Sequence, residues 1–128
     1  MSSVKTYIVA ASWFDDAAVT LRVDHDVLTQ ALATEINDFW SGSDSRLDDE
    51  GGDVVRAVIR LFGSVAIRYY MALGGAAFGP YAEGERNQTD AVIKNQGEGW
   101  PEYYELGILI VAAEVPAVGY SDVTLVAV

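Results

Sequence analysis

The single histidine of the chain lies between two aspartates, an arrangement that resembles an oriented catalytic base. A carboxylate from Asp24 or Asp26 could hold the His25 imidazole for proton abstraction. Nucleophilic catalysis also needs a hydroxyl partner, and no serine lies in a recognisable nucleophile-elbow motif. The chain has no cysteine, which excludes thiol nucleophiles, disulfides and cysteine-based zinc sites. We therefore predict no catalytic residue and interpret His25 as a neighbour of a helix cap.

An acidic run has the composition of a cation site but not its spacing. A calcium loop starting at Asp44 would need a ligand at its third position and a glycine at its sixth, where Arg46 and Asp49 stand. Such a run is more often a solvated loop leading into a helix, whose positive N-terminal end favours carboxylates. We predict no ordered metal site and no cofactor, with a loosely held divalent cation as the alternative. The carboxylates concerned are Asp44, Asp48, Asp49, Glu50 and Asp53.

The segment GEGWPEYYELG, residues 97–107, interleaves aromatic and acidic side chains. Tyrosine and tryptophan anchor protein interfaces because each buries much apolar area and keeps a polar group. We favour a partner-binding surface; the alternative is that Trp100 and Tyr104 close the open side of a sheet while the glutamates face water. Close carboxylate pairs arise by chance among 19 acids, so they do not predict acid–base catalysis. The predicted partner-binding residues are Asp44, Asp48, Asp49, Glu50, Glu98, Trp100, Glu102, Tyr103 and Glu105.

The net charge limits the classes of partner. Nineteen acidic residues against eight basic ones give −11 at pH 7. A field of this sign repels phosphate, which disfavours direct binding to nucleic acid or anionic lipid and favours a basic protein surface. The alternative is that the acids only keep a rather apolar chain in solution. No stretch has the length of a membrane-spanning helix. Absent cysteine suits a reducing compartment, so we expect a cytoplasmic protein.

The elements that must position these residues begin with two strands and two helices. Alternating apolar residues predict antiparallel strands at 6–14 and 17–24, with a turn at Asp15–Asp16 between them. Helical spacing of apolar residues predicts a first helix over 27–40, capped by Asp24 or Asp26. A second, longer helix over 54–73 starts at the cap Asp53 and stops at Gly74–Gly75.

The rest of the chain predicts a long irregular segment and two further strands. Residues 74–105 show little periodicity, apart from a hint of a short helix at 89–96. The apolar runs at 106–115 and 122–128 are typical of strands. The order β-β-α-α-β-β predicts one α+β domain over 1–128, with a mostly antiparallel sheet of about four strands and two helices packed on one face.

Several segments together resemble a family of small bacterial and phage proteins known only as a domain of unknown function. They are YIVAASWFDD, EINDFWSGSDSRL, GGDVVRAVIRLFG, EGWP and AEVP, which span most of the chain. The resemblance implies a prophage or other mobile-element origin, and no activity or catalytic residue. Small acidic proteins of that setting resemble inhibitors that occupy the nucleic-acid groove of a host enzyme, such as anti-CRISPR and DNA-mimic proteins. That last step is analogy.

These observations favour a non-enzymatic module that binds a basic protein surface, with a phage inhibitor as its specific form. Two alternatives stay open. One is a structural homo-oligomer, such as a homodimer, in which the apolar segment TLVAV pairs across a two-fold axis. The other is a carboxylate- or metal-dependent enzyme, which would need three or more carboxylates converging in a pocket.

Overall fold

The computed structural model describes residues 3–11, 17–80, 86–116 and 119–128. In chain order the elements are β1 (Val4–Ala10), β2 (Ala18–Asp24), α1 (Gln30–Phe39), α2 (Ser43–Asp49), α3 (Val54–Ala72), β3 (Ala76–Phe78), α4 (Arg86–Gln96), α5 (Tyr103–Leu106) and β4 (Ile108–Val115). A 3₁₀ turn, Tyr120–Asp122, follows β4. The predicted α+β class is confirmed.

Four antiparallel strands form one sheet in the order β1-β2-β4-β3. The predicted alternation of β2 is confirmed, because Val19, Leu21 and Val23 are fully buried while the residues between them are only half-buried. Across the ladder these three residues lie opposite Ala113, Ile110 and Ile108 of β4. Most of the strand residues in the hydrophobic core come from this side of the sheet.

The long helix α3 lies at the centre of the helical layer and packs against α1, α4 and the sheet. Asp53 caps its N-terminus as predicted, accepting a hydrogen bond from the Arg56 backbone N–H at 3.1 Å. Gly63 lets this helix approach β1 closely, since a Cβ at that position would lie 2.5 Å from the Val9 side chain. The helix ends at Gly74 and Gly75, which adopt positive φ angles, as predicted.

The observed order of elements differs from the predicted β-β-α-α-β-β because short-range patterns did not reveal tertiary contacts. The 122–128 segment begins at the last residue of the 3₁₀ turn and continues as exposed residues without a strand. The sheet is instead completed by β3, which is only three residues long. The 74–105 range, expected to be irregular, contains β3, α4 and α5. Helix α4 confirms the hint at 89–96, with Val92 and Ile93 buried in the core.

The solvated loop expected for the acidic run is also wrong, since residues 43–49 form α2 between the two predicted helices. Arg46 stabilises this corner by donating to the backbone carbonyl oxygens of Asn37, Trp40 and Ser41 at 2.6–2.9 Å. These carbonyls belong to the end of α1 and its exit, where they have no partner within the helix. The cap of α1 also differs: Thr29 accepts a hydrogen bond from Leu32 N–H, in place of Asp24 or Asp26.

The turn predicted at Asp15–Asp16 lies outside the described residues. Within the described ranges, no helix is both long and apolar enough to cross a membrane.

Candidate protein-interaction surface

Aromatic side chains from three parts of the chain meet beside the end of α1. Trp100 lies between Trp40 and Phe62, with ring centroids 6.4 and 5.3 Å away. Phe39 packs edge-on against Trp40 at 4.9 Å. The backbone of Gly99 packs closely against both rings. A larger residue would not fit, because a Cβ at this position would lie 2.4 Å from the Trp40 ring and 2.7 Å from the Phe39 ring. We call Phe39, Trp40, Phe62 and Trp100 the aromatic cluster.

The cluster joins the core to the surface. Phe62 is fully buried and Trp40 and Trp100 are half-buried, whereas Phe39 is 52% exposed. The indole N–H groups of Trp40 and Trp100 are buried, and neither donates a hydrogen bond to any residue in the described part of the chain. Trp100 therefore has the packing role that the alternative interpretation gave it. The ring of the cluster that is most exposed to solvent is Phe39.

Helix α2 presents three of the predicted carboxylates to solvent. Asp44, Asp48 and Asp49 are exposed, and none of them forms an ion pair with a described residue. The helix starts three residues after Trp40 and is held there by Arg46. Asp44 is therefore fixed close to the aromatic cluster by the corner between α1 and α2.

Glu50 differs from its acidic neighbours because it is paired and largely buried. Its carboxylate accepts from Arg60 at 2.9 Å and from Arg56 at 3.2 Å, and only 15% of its side chain is exposed. The hydrogen bond from Arg60, together with that from Arg56 and the positive charges of both, lowers the pKa of Glu50 below its ordinary value. Glu50 thus ties the α2–α3 connection to α3, and its charge is already compensated within the chain.

The second predicted segment runs along the other side of the cluster. Glu98, Glu102 and Glu105 are exposed, and in the ranges described none is in an ion pair. Tyr103 is half-buried against the core, while its neighbour Tyr104 is 67% exposed, with the two ring centroids 5.4 Å apart.

The two tyrosines face a groove beside the sheet. It measures about 630 Å³ and is also lined by Val4, Arg22, Asp24, Val27, Gly107, Ile108 and Leu109. An exposed ring above an apolar groove of this size can receive side chains of a bound protein.

The structure brings the two predicted acidic segments to one region, since both reach Trp40. Asp44 follows it through a tight turn, and Glu98 precedes the glycine that packs on it. Exposed Glu35 and Asp38 on α1 add to the same region.

Sequence reasoning did not single out Phe39 and Tyr104, which are exposed, and chose Trp100 and Tyr103, which are half-buried. The available signal for Phe39 was its place at the end of the apolar stripe of α1, where the helix leaves the core.

His25 lies outside this region and is held by a neighbouring strand. Its Nε2 lies 2.8 Å from the hydroxyl oxygen of Tyr7 on β1. Asp26 receives the Ser3 backbone N–H, and Asp24 receives that of Asp26. These hydrogen bonds stabilise the connection after β2. Among the described residues, no group of three or more histidines and carboxylates is placed to hold a metal ion.

The chain belongs to a family of proteins described as of unknown function (DUF2528), whose model matches residues 18–125. The resemblance expected from the sequence is therefore confirmed. Two relatives are protein ea10 of Escherichia phage lambda and a lambda prophage-derived protein ea10 of Escherichia coli O6:H1. Each is 34% identical over 101 residues, which cover 79% of this chain and 76% of the relative. The relatives confirm the expected phage and prophage setting. No solved structure gives a significant match.

Proposed function

We propose that this phage protein is a non-enzymatic binding module that attaches to the basic surface of a nucleic-acid-binding protein and inhibits it. One observation carries the proposal: the elements that meet at the aromatic cluster, where Phe39 is exposed, also carry exposed carboxylates that form no ion pair with a described residue. Such a surface attracts cationic side chains from a distance and offers an apolar contact once they arrive.

The distribution of ion pairs supports a binding role over a purely solubilising one. The ion pairs between described residues join Glu50 to Arg56 and Arg60, and Asp90 to Lys94. The guanidinium of Arg46 is engaged with backbone carbonyl oxygens and the Asn37 side chain. Among the described residues, no ion pair joins a cation to Asp44 or Glu98, whereas the pKa of Lys94 is raised by its hydrogen bond to Asp90 and also by the nearby charge of Glu102.

The negative charge of this surface supports an inhibitory role. Nucleic-acid-binding proteins gather lysine and arginine where phosphates bind. An acidic protein that occupies this surface excludes the nucleic acid, because both ligands need the same cations. Phe39 and Tyr104 would supply the apolar contacts that slow release, since large aromatic rings contribute strongly to interface stability.

Capture from a bacterial lysate tests the proposal. The immobilised protein is incubated with lysate in about 0.1 M and about 1 M NaCl, where the Debye length is about 10 Å and about 3 Å. We expect mass spectrometry to find a basic, nucleic-acid-binding protein at low salt only. That protein, once purified, should lose its bound DNA or RNA when the acidic protein is added.

A matched pair of double variants assigns the effect to the surface. The test variant combines E98Q with E102Q, and the control variant combines E114Q with D122N. Each double variant removes two negative charges. Glu114 is six residues along β4 from Ile108, which corresponds to roughly 20 Å at the rise per residue of a strand. We expect the first pair to weaken binding at least tenfold and the second to change it little. Equal effects of the two pairs, or capture that persists at high salt, would contradict the proposal.

A further inference from the structure

One long edge of the sheet has no partner strand within the described ranges. Strand β1 pairs with β2 alone and is the outermost strand. Hydrogen bonds between Ala11 and Ala17 and between His25 and Ser3 fix the pairing of its two ends. Since hydrogen-bonded and non-hydrogen-bonded pairs alternate in an antiparallel ladder, every second residue turns its backbone away from β2. These outward-facing residues are Val4, Thr6, Ile8 and Ala10.

This edge is apolar and accessible. Ile8 is 70% exposed, and Lys5 is the one charged residue of β1. A groove of about 340 Å³ runs beside the edge and is lined by β1, by Ile59 of α3 and by the Glu50–Arg56–Arg60 group. Proteins usually protect edges of this length with several charges, a proline or a covering segment, because they otherwise accept further strands.

The same chain carries a segment that has the composition of a strand but pairs with no strand among the described residues. In residues 123–128 the apolar side chains of Val123, Leu125, Val126 and Val128 are exposed, and Leu125 is 96% exposed. The 3₁₀ turn before the segment is fixed by a 2.8 Å hydrogen bond from Gly119 N–H to the Asp122 carboxylate. Six residues in a strand span about 20 Å, which is close to the length of β1.

We propose that residues 123–128 of one copy of the chain add as a strand along the outer edge of β1 in a second copy. Exchange in both directions creates two identical contacts about a two-fold axis, the usual symmetry of homodimers. Each contact satisfies outward backbone groups of β1 and places alternate side chains in the groove beside α3. The partner is thus a second copy of this chain, bound through main-chain pairing and apolar side chains.

Salt separates this contact from the acidic surface. Each copy carries a net charge of −11, so association of two copies is opposed by repulsion that salt screens. Self-association should therefore strengthen with salt, whereas binding to a basic partner should weaken.

Sedimentation and light scattering of four proteins test the exchange. The intact chain should have twice the monomer mass of 13.8 kDa. A chain that ends after Asp122 and the variant I8K, which places a charge on the edge, should each be monomeric. L73K is the matched control because Leu73, just after the end of α3, is 64% exposed, and this variant should stay dimeric. If I8K fails to fold, T6K blocks the same edge.

Mixing the two monomeric proteins gives the decisive result. I8K retains the 123–128 segment and the truncated chain retains the edge, so their mixture should form a dimer through one contact. No dimer in the mixture would overturn the proposal, as would an intact chain that stays monomeric at every concentration. A monomer whose Ile8 amide is protected from hydrogen exchange would show that the segment pairs with its own chain, and would also overturn it.

Discussion

The contact between Gly99 and the rings of Phe39 and Trp40 can be tested with two neighbouring glycines. Gly97 and Gly99 have similar backbone conformations, with φ of 86° and 91°. Their surroundings differ: a Cβ at Gly97 meets nothing within 4 Å, whereas a Cβ at Gly99 would lie 2.4 Å from Trp40. The pair therefore separates the effect of backbone strain from the effect of packing.

The expected losses in unfolding free energy follow from backbone strain and from packing. Alanine in the left-handed region is destabilised by about 1–2 kcal/mol, partly offset by about 0.4–1 kcal/mol from a less flexible unfolded chain. This net effect of about 1 kcal/mol applies to both G97A and G99A. Only G99A also forces apart packed aromatic rings, which costs a further 1–3 kcal/mol or so. We expect a loss of about 1 kcal/mol for G97A and of about 2–4 kcal/mol for G99A.

Urea unfolding followed by circular dichroism and tryptophan fluorescence measures both losses. G99A should also change the native fluorescence, because it displaces Trp40 and Trp100, while G97A should leave it unaltered. If the two variants differ by less than about 0.5 kcal/mol, the uncertainty of such comparisons, then the 97–100 segment does not pack on α1 and the acidic surface is not assembled as described.

Three further substitutions test individual interactions. E50Q should destabilise the protein by about 1 kcal/mol at neutral pH. Because the pKa of Glu50 is lowered in the folded state, its stabilisation is present above the ordinary value of 4.5 and is lost as the pH falls through the folded value. Unfolding curves of E50Q and the parent protein should therefore converge in acid, and a constant difference would contradict this. T89V removes the hydroxyl that accepts the buried Ile110 N–H at 3.0 Å. Leaving that donor unpaired should cost about 1–3 kcal/mol and speed hydrogen exchange of the Ile110 amide; unchanged exchange would refute the bond. W100F should cost clearly less than the roughly 3–5 kcal/mol expected for W100A, since it also removes an unpaired buried N–H. A loss of about 3 kcal/mol for W100F would show that the indole N–H has a partner, because phenylalanine keeps most of the ring packing and removes that donor.

Two elements show how far local pattern decides structure here. Strand β2 was predictable because its apolar residues alternate with a period of two, which only an extended chain can turn to one side. Helix α3 was predictable because Asp53 and Gly74 mark its ends and apolar residues recur at helical spacing between them. The site was predictable only in part, since residue type indicated acids and aromatics without showing which of them would be exposed.

The sequence by itself determined the α+β class, the strand β2, the limits of α3 and the strong negative charge, because each depends on local spacing or on composition. The tertiary structure decided the rest. Arg46 holds the helix at residues 43–49 against the end of α1, and the aromatic cluster half-buries Trp100 while Phe39 stays exposed. The tertiary structure also left the 123–128 segment outside the sheet. These outcomes depend on contacts between residues distant in sequence, whose free energies no local pattern contains.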